Sequence, residues 1–596
     1  MRETAPLSVR GIVREVSAGR LSAERSALEA LERAADYDRI QPQAWIQRSS
    51  RQTVLARARS VDARLAAGER LPLAGVPFAV KDNIDVAAEE TTAACPAFAY
   101  VPTRSATVIE RLTAAGAVPI GKSNLDQFAT GLTGTRSPHG APACVFNREY
   151  VSGGSSSGSA VLTAAGVVPL ALGTDTAGSG RVPAAFNHLT GFKPTCGRWS
   201  TRGVVPACRT LDCVSAFTTD ATDAALVDAV LAGFDAEDPY SRRAPQQGAT
   251  FAWPVRCAVP LAHQRQFLGD GESAALYEAA CERLRAEGGE LIELDMAPLL
   301  ESAQLLYSGA WVAERSHAMA RLLETNPGAI HPIVRAIVQS ARGITAADAF
   351  RDFHALKAFA RTAEAIWERA DVLLLPTAPT IYRISEVLAE PVGLNSLLGL
   401  YTNFVNLLDL AAIALPAGFR RNRTGFGVSL VAPAWRDHAL LELARRLQDA
   451  DPPADVPPLD AGTARATVEL AVVGAHLSGM PLNWQLSSRG ARLARRTRTA
   501  SLYRLYAMAN QSPPKPALVQ CGTPGHAISV EVYELELSAF GSFVAEVPAP
   551  LAIGAVTLED GSIVRGFVAE PRALTGAEDI SAFGGWRAYL ERERRP

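Results

Sequence analysis

Two glycine-serine stretches decide how this chain reads: Gly153-Gly154-Ser155-Ser156-Ser157-Gly158-Ser159 and Gly173-Thr174-Asp175-Thr176-Ala177-Gly178-Ser179-Gly180-Arg181. Residues 160–172 between them are small and apolar, enough chain for one helix and one strand. Upstream, Gly75-Val76-Pro77-Phe78-Ala79-Val80-Lys81-Asp82-Asn83 places a lysine at the end of an apolar strand, where burial lowers an ammonium pKa. Any one of these segments alone reads as a turn. Together, in this order, they supply two hydroxyls and a base.

Working outward, short apolar runs at 75–80, 118–120 and 372–375 alternate with helix-like stretches such as 107–115. That alternation predicts an α/β architecture with a largely covered sheet. Residues 20–70 carry Ala, Leu, Arg and Glu at helical spacing. The run from Leu397 to Pro416 is broken by Asn403, Asn406 and Asp409, so it reads as a buried segment and not a membrane span. Pro452, Pro453, Pro457 and Pro458 mark a stiff connector. Beyond it, Ile528, Val530 and Val532 alternate with polar residues, and 557–564 reads as a hairpin turning at Asp560-Gly561. The expected organisation is therefore a catalytic domain at 1–450, a linker at 451–465 and a smaller strand-rich α+β domain at 466–596.

Two other motifs compete with this reading. Gly116–Ser123 spells a Walker A phosphate loop, but its interior, Ala117-Val118-Pro119-Ile120, is stiff and apolar, and Pro119 has no amide hydrogen to offer an anion. A buried strand and turn explain it better. Gly154-Ser155-Ser156-Ser157-Gly158 fits a nucleophile elbow, yet residues 147–153 form no strand to carry one.

The Lys81, Ser155 and Ser179 segments resemble the amidase signature family, in order and over about residues 72–435, including Gly191-Phe192-Lys193-Pro194-Thr195 and Leu415-Pro416-Ala417-Gly418. The resemblance implies an α/β amidase-signature fold, a central mixed sheet covered by helices. By motif position it makes Ser179 the nucleophile, Ser155 a bridging serine after a cis peptide bond, and Lys81 the base. The amides of Thr176, Ala177, Gly178 and Ser179 become the oxyanion hole, with Ser156 supporting the network. No metal or organic cofactor is implied. The spelling Gly-Ser-Gly-Arg-Val-Pro at 178–183, Ser157 in place of a second glycine pair, residues 124–131 and the Gly134–Pro138 segment are similar to the allophanate hydrolase branch.

For that branch the substrate is urea carrying a carboxylate, and the resemblance implies Tyr307 and Arg315 as the binding pair, with Gly131 as a backbone contact. If residues 307–315 form one helix, the arginine leans back toward the tyrosine and holds the carboxylate in a bidentate pair. The segments 472–483 and 582–587 resemble the C-terminal domain of the same branch, itself similar to a γ-glutamylcyclotransferase-type barrel. Amide hydrolysis would release ammonia and leave N-carboxycarbamate, which must still lose carbon dioxide. Two roles stay open for the tail: assistance to that decarboxylation, with His476 as candidate, or a scaffold.

Composition narrows the partners. With 59 basic and 61 acidic residues the net charge of −2 offers no field for nucleic acid. Eight scattered cysteines without a Cys-x-x-Cys pair suit reduced thiols, and Met1–Ala18 lacks the apolar core of a leader, so a cytoplasmic protein is expected. No biotin-carboxylase-like region is evident, so a urea carboxylase or another enzyme on a separate chain is expected to make the allophanate. A homodimer is expected as the assembly. The alternatives are a general amidase, a tRNA-linked glutamine amidotransferase subunit, and a silent scaffold binding a urea-degrading partner.

Overall fold

A computed structural model describes residues 8–245, 250–450, 456–460, 467–509, 511, 513–522 and 524–593. The chain forms two compact units, Met1–Ser137 with Ala141–Ala461, and Pro138–Gly140 with Gly462–Pro596.

In the first unit eleven strands make one mixed sheet: β1 (Trp45–Arg48), β2 (Pro77–Lys81), β3 (Val118–Ser123), β4 (Leu170–Asp175), β5 (Thr190–Lys193), β6 (Cys213–Thr218), β7 (Arg256–Pro260), β8 (Glu290–Leu294), β9 (Val372–Pro376), β10 (Leu410–Phe419) and β11 (Gly425–Pro433). Their spatial order is β1-β3-β2-β4-β6-β5-β10-β11-β9-β7-β8. β2, β3, β4, β6 and β9 are buried along their whole length, which is why β2, the start of β3 and β9 read as apolar runs and not as alternating ones. Helices on both faces of a sheet bury such strands.

One register positions the site. β2 and β4 are parallel, with Phe78 opposite Leu170 and Val80 opposite Leu172. Both strands therefore end at the same edge, and Lys81 and Asp175 come out together. The helix Ser157–Ala164 precedes β4, and the peptide bond entering Ser155 is cis. A side chain cannot replace Gly154, since a Cβ there would lie 2.2 Å from Asp126 Oδ2.

The Walker-like segment is β3. Lys122 is fully buried and paired to Asp82 at 3.0 Å, and Gly121 lies inside the strand. The run at 397–416 resolves into two short helices and β10, and no helix among the described residues is long and apolar enough to cross a membrane. The helical reading of 20–70 needs one correction: between the helices Ala23–Tyr37 and Arg51–Ala66 lies β1, a short edge strand antiparallel to β3. Four residues are too few to show a period.

Of the connector, Pro452 and Pro453 lie outside the described residues, as do 461–465. The described part, 456–460, is tied to the first unit: Asp460 N donates to Val145 O at 2.8 Å, and Arg148 N donates to Asp460 Oδ2 at 2.9 Å.

The second unit has strands β12 (Thr467–Val472), β13 (Arg492–Arg498), β14 (Tyr503–Ala507), β15 (Pro516–Gln520), β16 (Ser529–Glu536), β17 (Leu551–Thr557), β18 (Ile563–Ala569) and β19 (Glu578–Asp579). Five form a sheet in the order β13-β16-β12-β18-β17, and three form β15-β14-β19. β17 and β18 are the expected hairpin, closing from Thr557 opposite Ile563 through Gly561 at φ 83°. In β16 the alternation fails at Glu531, which is buried because it accepts from Ser478, Arg496 and Arg587.

Candidate active site

The edge where β2 and β4 end is lined by buried polar groups. Lys81 is fully buried; its Nζ lies 2.8 Å from Ser155 Oγ and 2.7 Å from Thr174 Oγ1. Burial lowers its pKa to about 7, against the opposing pull of Asp126, Asp212 and Asp175. Such a lysine is neutral in an appreciable fraction near neutral pH, and its lone pair then faces the Ser155 hydroxyl. Ser156, the centre of the elbow spelling, instead bonds the Thr174 backbone, donating to its carbonyl at 3.1 Å.

The second glycine-serine stretch forms a tight loop after β4. Asp175 organises it, accepting from Gly178 N at 2.8 Å and Gly180 N at 3.0 Å, and from Arg181 through Nε at 2.9 Å and a terminal nitrogen at 3.0 Å. Arg181 also reaches Thr402 O and Asn406 Oδ1, so both charges of this fully buried pair are hydrogen-bonded. Gly178 sits at φ 128°, and a Cβ on it would lie 2.4 Å from Thr402 Oγ1. These constraints present Ser179 at the loop's turn, 2% exposed, its Oγ 3.5 Å from Gly131 O.

One expectation changes here. The Gly178 amide is committed to Asp175 and is not free to receive an oxyanion, whereas the amides of Thr176, Ala177 and Ser179 have no hydrogen-bond partner among the described residues. Ser179 Oγ makes no hydrogen bond to Ser155; its one partner among the described residues is the Gly131 carbonyl.

The Tyr307–Arg315 stretch is not one helix. It breaks at Gly309, between Leu305–Ser308 and Ala310–Ala318, where Asp352 caps the second helix through Ala310 N at 2.9 Å. The bend still brings the pair together, with the Arg315 guanidinium 5.6 Å from the centre of the Tyr307 ring. Arg315 is 1% exposed. Its one hydrogen bond among the described residues is to Thr130 Oγ1, at 3.3 Å, and its Nε has none. No carboxylate pairs with it among the described residues, an unusual state for a buried guanidinium. Thr130 and Gly131 lie on one loop, held by Arg136, which donates to Thr130 O at 3.0 Å, and by Asp126, which accepts from Gly134 N and Arg136 N.

Sequence reasoning missed Thr174, Asp126, Thr130 and the Asp175/Arg181 pair. All five fall inside quoted motifs, and for Thr174 and Asp175 the signal available was polarity at the end of an otherwise apolar strand. Thr130 carried none.

In the second unit His476 lines a cavity of about 270 Å³ with Gln485, Lys515 and Phe567. Its Nε2 is 2.8 Å from Gln485 Oε1 and its ring stacks on Phe567 at 5.0 Å, with burial holding its pKa below the ordinary value.

With a buried lysine bonded to the Ser155 and Thr174 hydroxyls where β2 and β4 end, the chain belongs to the amidase family, whose model matches residues 28–441. Residues 468–591 match the allophanate hydrolase C-terminal domain. The chain is 42% identical over 600 residues to urea amidolyase of Saccharomyces cerevisiae, covering 96% of this chain and 32% of that protein. It therefore spans about a third of that relative's length. It is similar over 99% of both chains to the structure of Kluyveromyces lactis allophanate hydrolase, at 41% identity and a TM-score of 0.72. A glutamyl-tRNA(Gln) amidotransferase protein from Thermosynechococcus vestitus is 35% identical over 68% of this chain and 90% of its own length.

Proposed function

We propose that this protein hydrolyses the amide of allophanate. One observation carries the choice among amides: Arg315, a buried guanidinium with a single long hydrogen bond and no carboxylate partner among the described residues, is bonded to Thr130, next to Gly131, whose carbonyl accepts from Ser179. Such a cation is poised for a planar carboxylate, which it can hold in two parallel hydrogen bonds with Tyr307 alongside. Gly131 offers a backbone contact to the same substrate.

In this reading Ser179 Oγ attacks the carbonyl of the terminal amide while Ser155 accepts its proton and passes its own to neutral Lys81. The unpartnered amides of Thr176, Ala177 and Ser179 receive the developing oxyanion. The proton returns through Ser155 to the departing nitrogen, ammonia leaves, and water releases the acyl group by the reverse relay. The product is N-carboxycarbamate, whose loss of carbon dioxide gives ammonia and carbon dioxide overall.

The second unit is proposed to assist that decarboxylation at the His476 cavity, with a linker at 451–465 separating it from a catalytic domain at 1–450. A urea carboxylase or another allophanate-producing enzyme on a separate chain is the proposed source of the substrate. A cytoplasmic homodimer is the proposed working form.

The test is ammonia release from allophanate, malonamate and an uncharged amide. Preference for the two carboxylated substrates and its loss in Ser179→Ala are expected. Equal turnover of all three would refute the carboxylate reading, and a folded Ser179→Ala enzyme that still releases ammonia would refute the nucleophile.

A further inference from the structure

Asp212 is buried, just before β6, and takes no part in the proton relay of Ser179, Ser155 and Lys81. Its carboxylate collects three donors. The Thr176 hydroxyl donates to Oδ1, Ala207 N to Oδ2 at 2.9 Å and Cys208 N to Oδ1 at 3.3 Å. No cation forms an ion pair with it among the described residues; burial pushes its pKa up to about 6, against the hydrogen bonds and the more distant charge of Arg315 that favour the carboxylate.

These donors belong to two parts of the site. Thr176 opens the loop that ends in Ser179, and its own amide is one of the three without a partner. Ala207 and Cys208 form a turn under the helix Ala310–Ala318, where Cys208 Sγ donates to Trp311 O at 3.4 Å, and that helix carries Arg315. The charge of Asp212 also acts on both Lys81 and Arg315. One carboxylate thus joins the loop that would receive the oxyanion to the element that would hold the substrate's far end.

The requirement is specific to a carboxylate. All three neighbours are donors, and only a group that accepts at both oxygens satisfies them; an amide would turn its NH2 toward one of the donors. The fold does not need the tie, because the register of β4 on β6, with Asp175 opposite Cys213, already fixes the base of the loop. Beyond that base the aim of the amides rests on two ties: the Asp175 carbonyl accepts from Asn406 Nδ2 at 2.8 Å, which holds the Thr176 peptide from one side, and the Thr176 hydroxyl donates to Asp212, which holds it from the other. A misaimed donor loses most of its stabilisation, since the geometry must match the oxyanion.

We propose that Asp212 is a positioning residue for amide hydrolysis: through the Thr176 hydroxyl it holds the Thr176 and Ala177 amides in the orientation that receives the oxyanion. The inference rests on Ser179 as nucleophile. Thr176→Val tests it most directly, because valine keeps the shape, removes only the hydroxyl and leaves the carboxylate its two backbone donors.

In the full-length protein, Thr176→Val is expected to lower kcat about 10- to 100-fold with KM within about threefold, and Thr176→Ser to recover most of that rate. Asp212→Asn should lower kcat comparably, and the Asp212→Asn/Thr176→Val double variant should fall no further than the worse single one, since both break the same bond. A folded Thr176→Val protein with kcat within about twofold of the parent overturns the proposal, as does multiplication of the two losses in the double variant. The parent's ammonia release from allophanate tests the proposed function. The ratios among variants, taken on whichever amide the parent hydrolyses, test this inference separately.

Discussion

Two buried cations border the candidate site, and the protein handles them in opposite ways. Lys81 has two hydroxyl neighbours and a pKa brought down to about 7, so it can shed its charge. Arg315, equally buried, cannot deprotonate, and its one hydrogen bond among the described residues, to Thr130, leaves it without a paired carboxylate. The same desolvation therefore makes a base of the lysine and an anion receptor of the arginine. A third buried cation, Arg181, shows the ordinary solution: a two-point pair with Asp175 and further acceptors around it. Only the cations left without a carboxylate are available for chemistry.

The contrast breaks most severely at Lys81. Lys81→Arg keeps a positive charge but removes the ability to take a proton, and kcat for ammonia release is expected to fall by about 1,000-fold or more. Retained turnover would mean that charge and not basicity is what position 81 supplies.

Arg315→Leu probes the other end. It should lower kcat/KM for allophanate and malonamate by about 100-fold, close to 3 kcal/mol, while turnover of an uncharged amide changes little. Parallel losses on all substrates would assign Arg315 to architecture.

The smallest effect sharpens the lysine half. The neutral fraction of Lys81 grows with pH, so kcat should rise through a limb near pH 7 and level off above it. Asp126 is the carboxylate that opposes this shift most strongly. Asp126→Asn removes a charge that favours the protonated amine, so the limb should move to lower pH, by about one unit or less. A limb moving upward would exclude Lys81 as its origin.

How much was legible varied with the length of chain needed to read each feature. β2, β3 and β9 appeared in the sequence because doubly covered strands are continuously apolar. The β17–β18 hairpin appeared because Asp-Gly turns carry a local rule. β1 was too short to show a period, and the helix break at Gly309 was not read because nothing local separates a capped start from a helix interior; the cap, Asp352, lies far along the chain. The commitment of the Gly178 amide was hidden for a related reason: its acceptor Asp175 is close in sequence, but only the folded loop turns that carboxylate back onto it.

By itself the sequence determined the chemical inventory, two serines and one lysine in an order too specific for turn residues, and the family follows from that order. The tertiary structure decided what the inventory means in charge. Burial and the neighbours supplied by distant segments set which amine can be neutral near pH 7, which guanidinium lacks a carboxylate partner and which amides are unbonded among the described residues. Those quantities are properties of a site's surroundings, and the surroundings exist only once β2 and β4 have come together and the loops at their ends have closed.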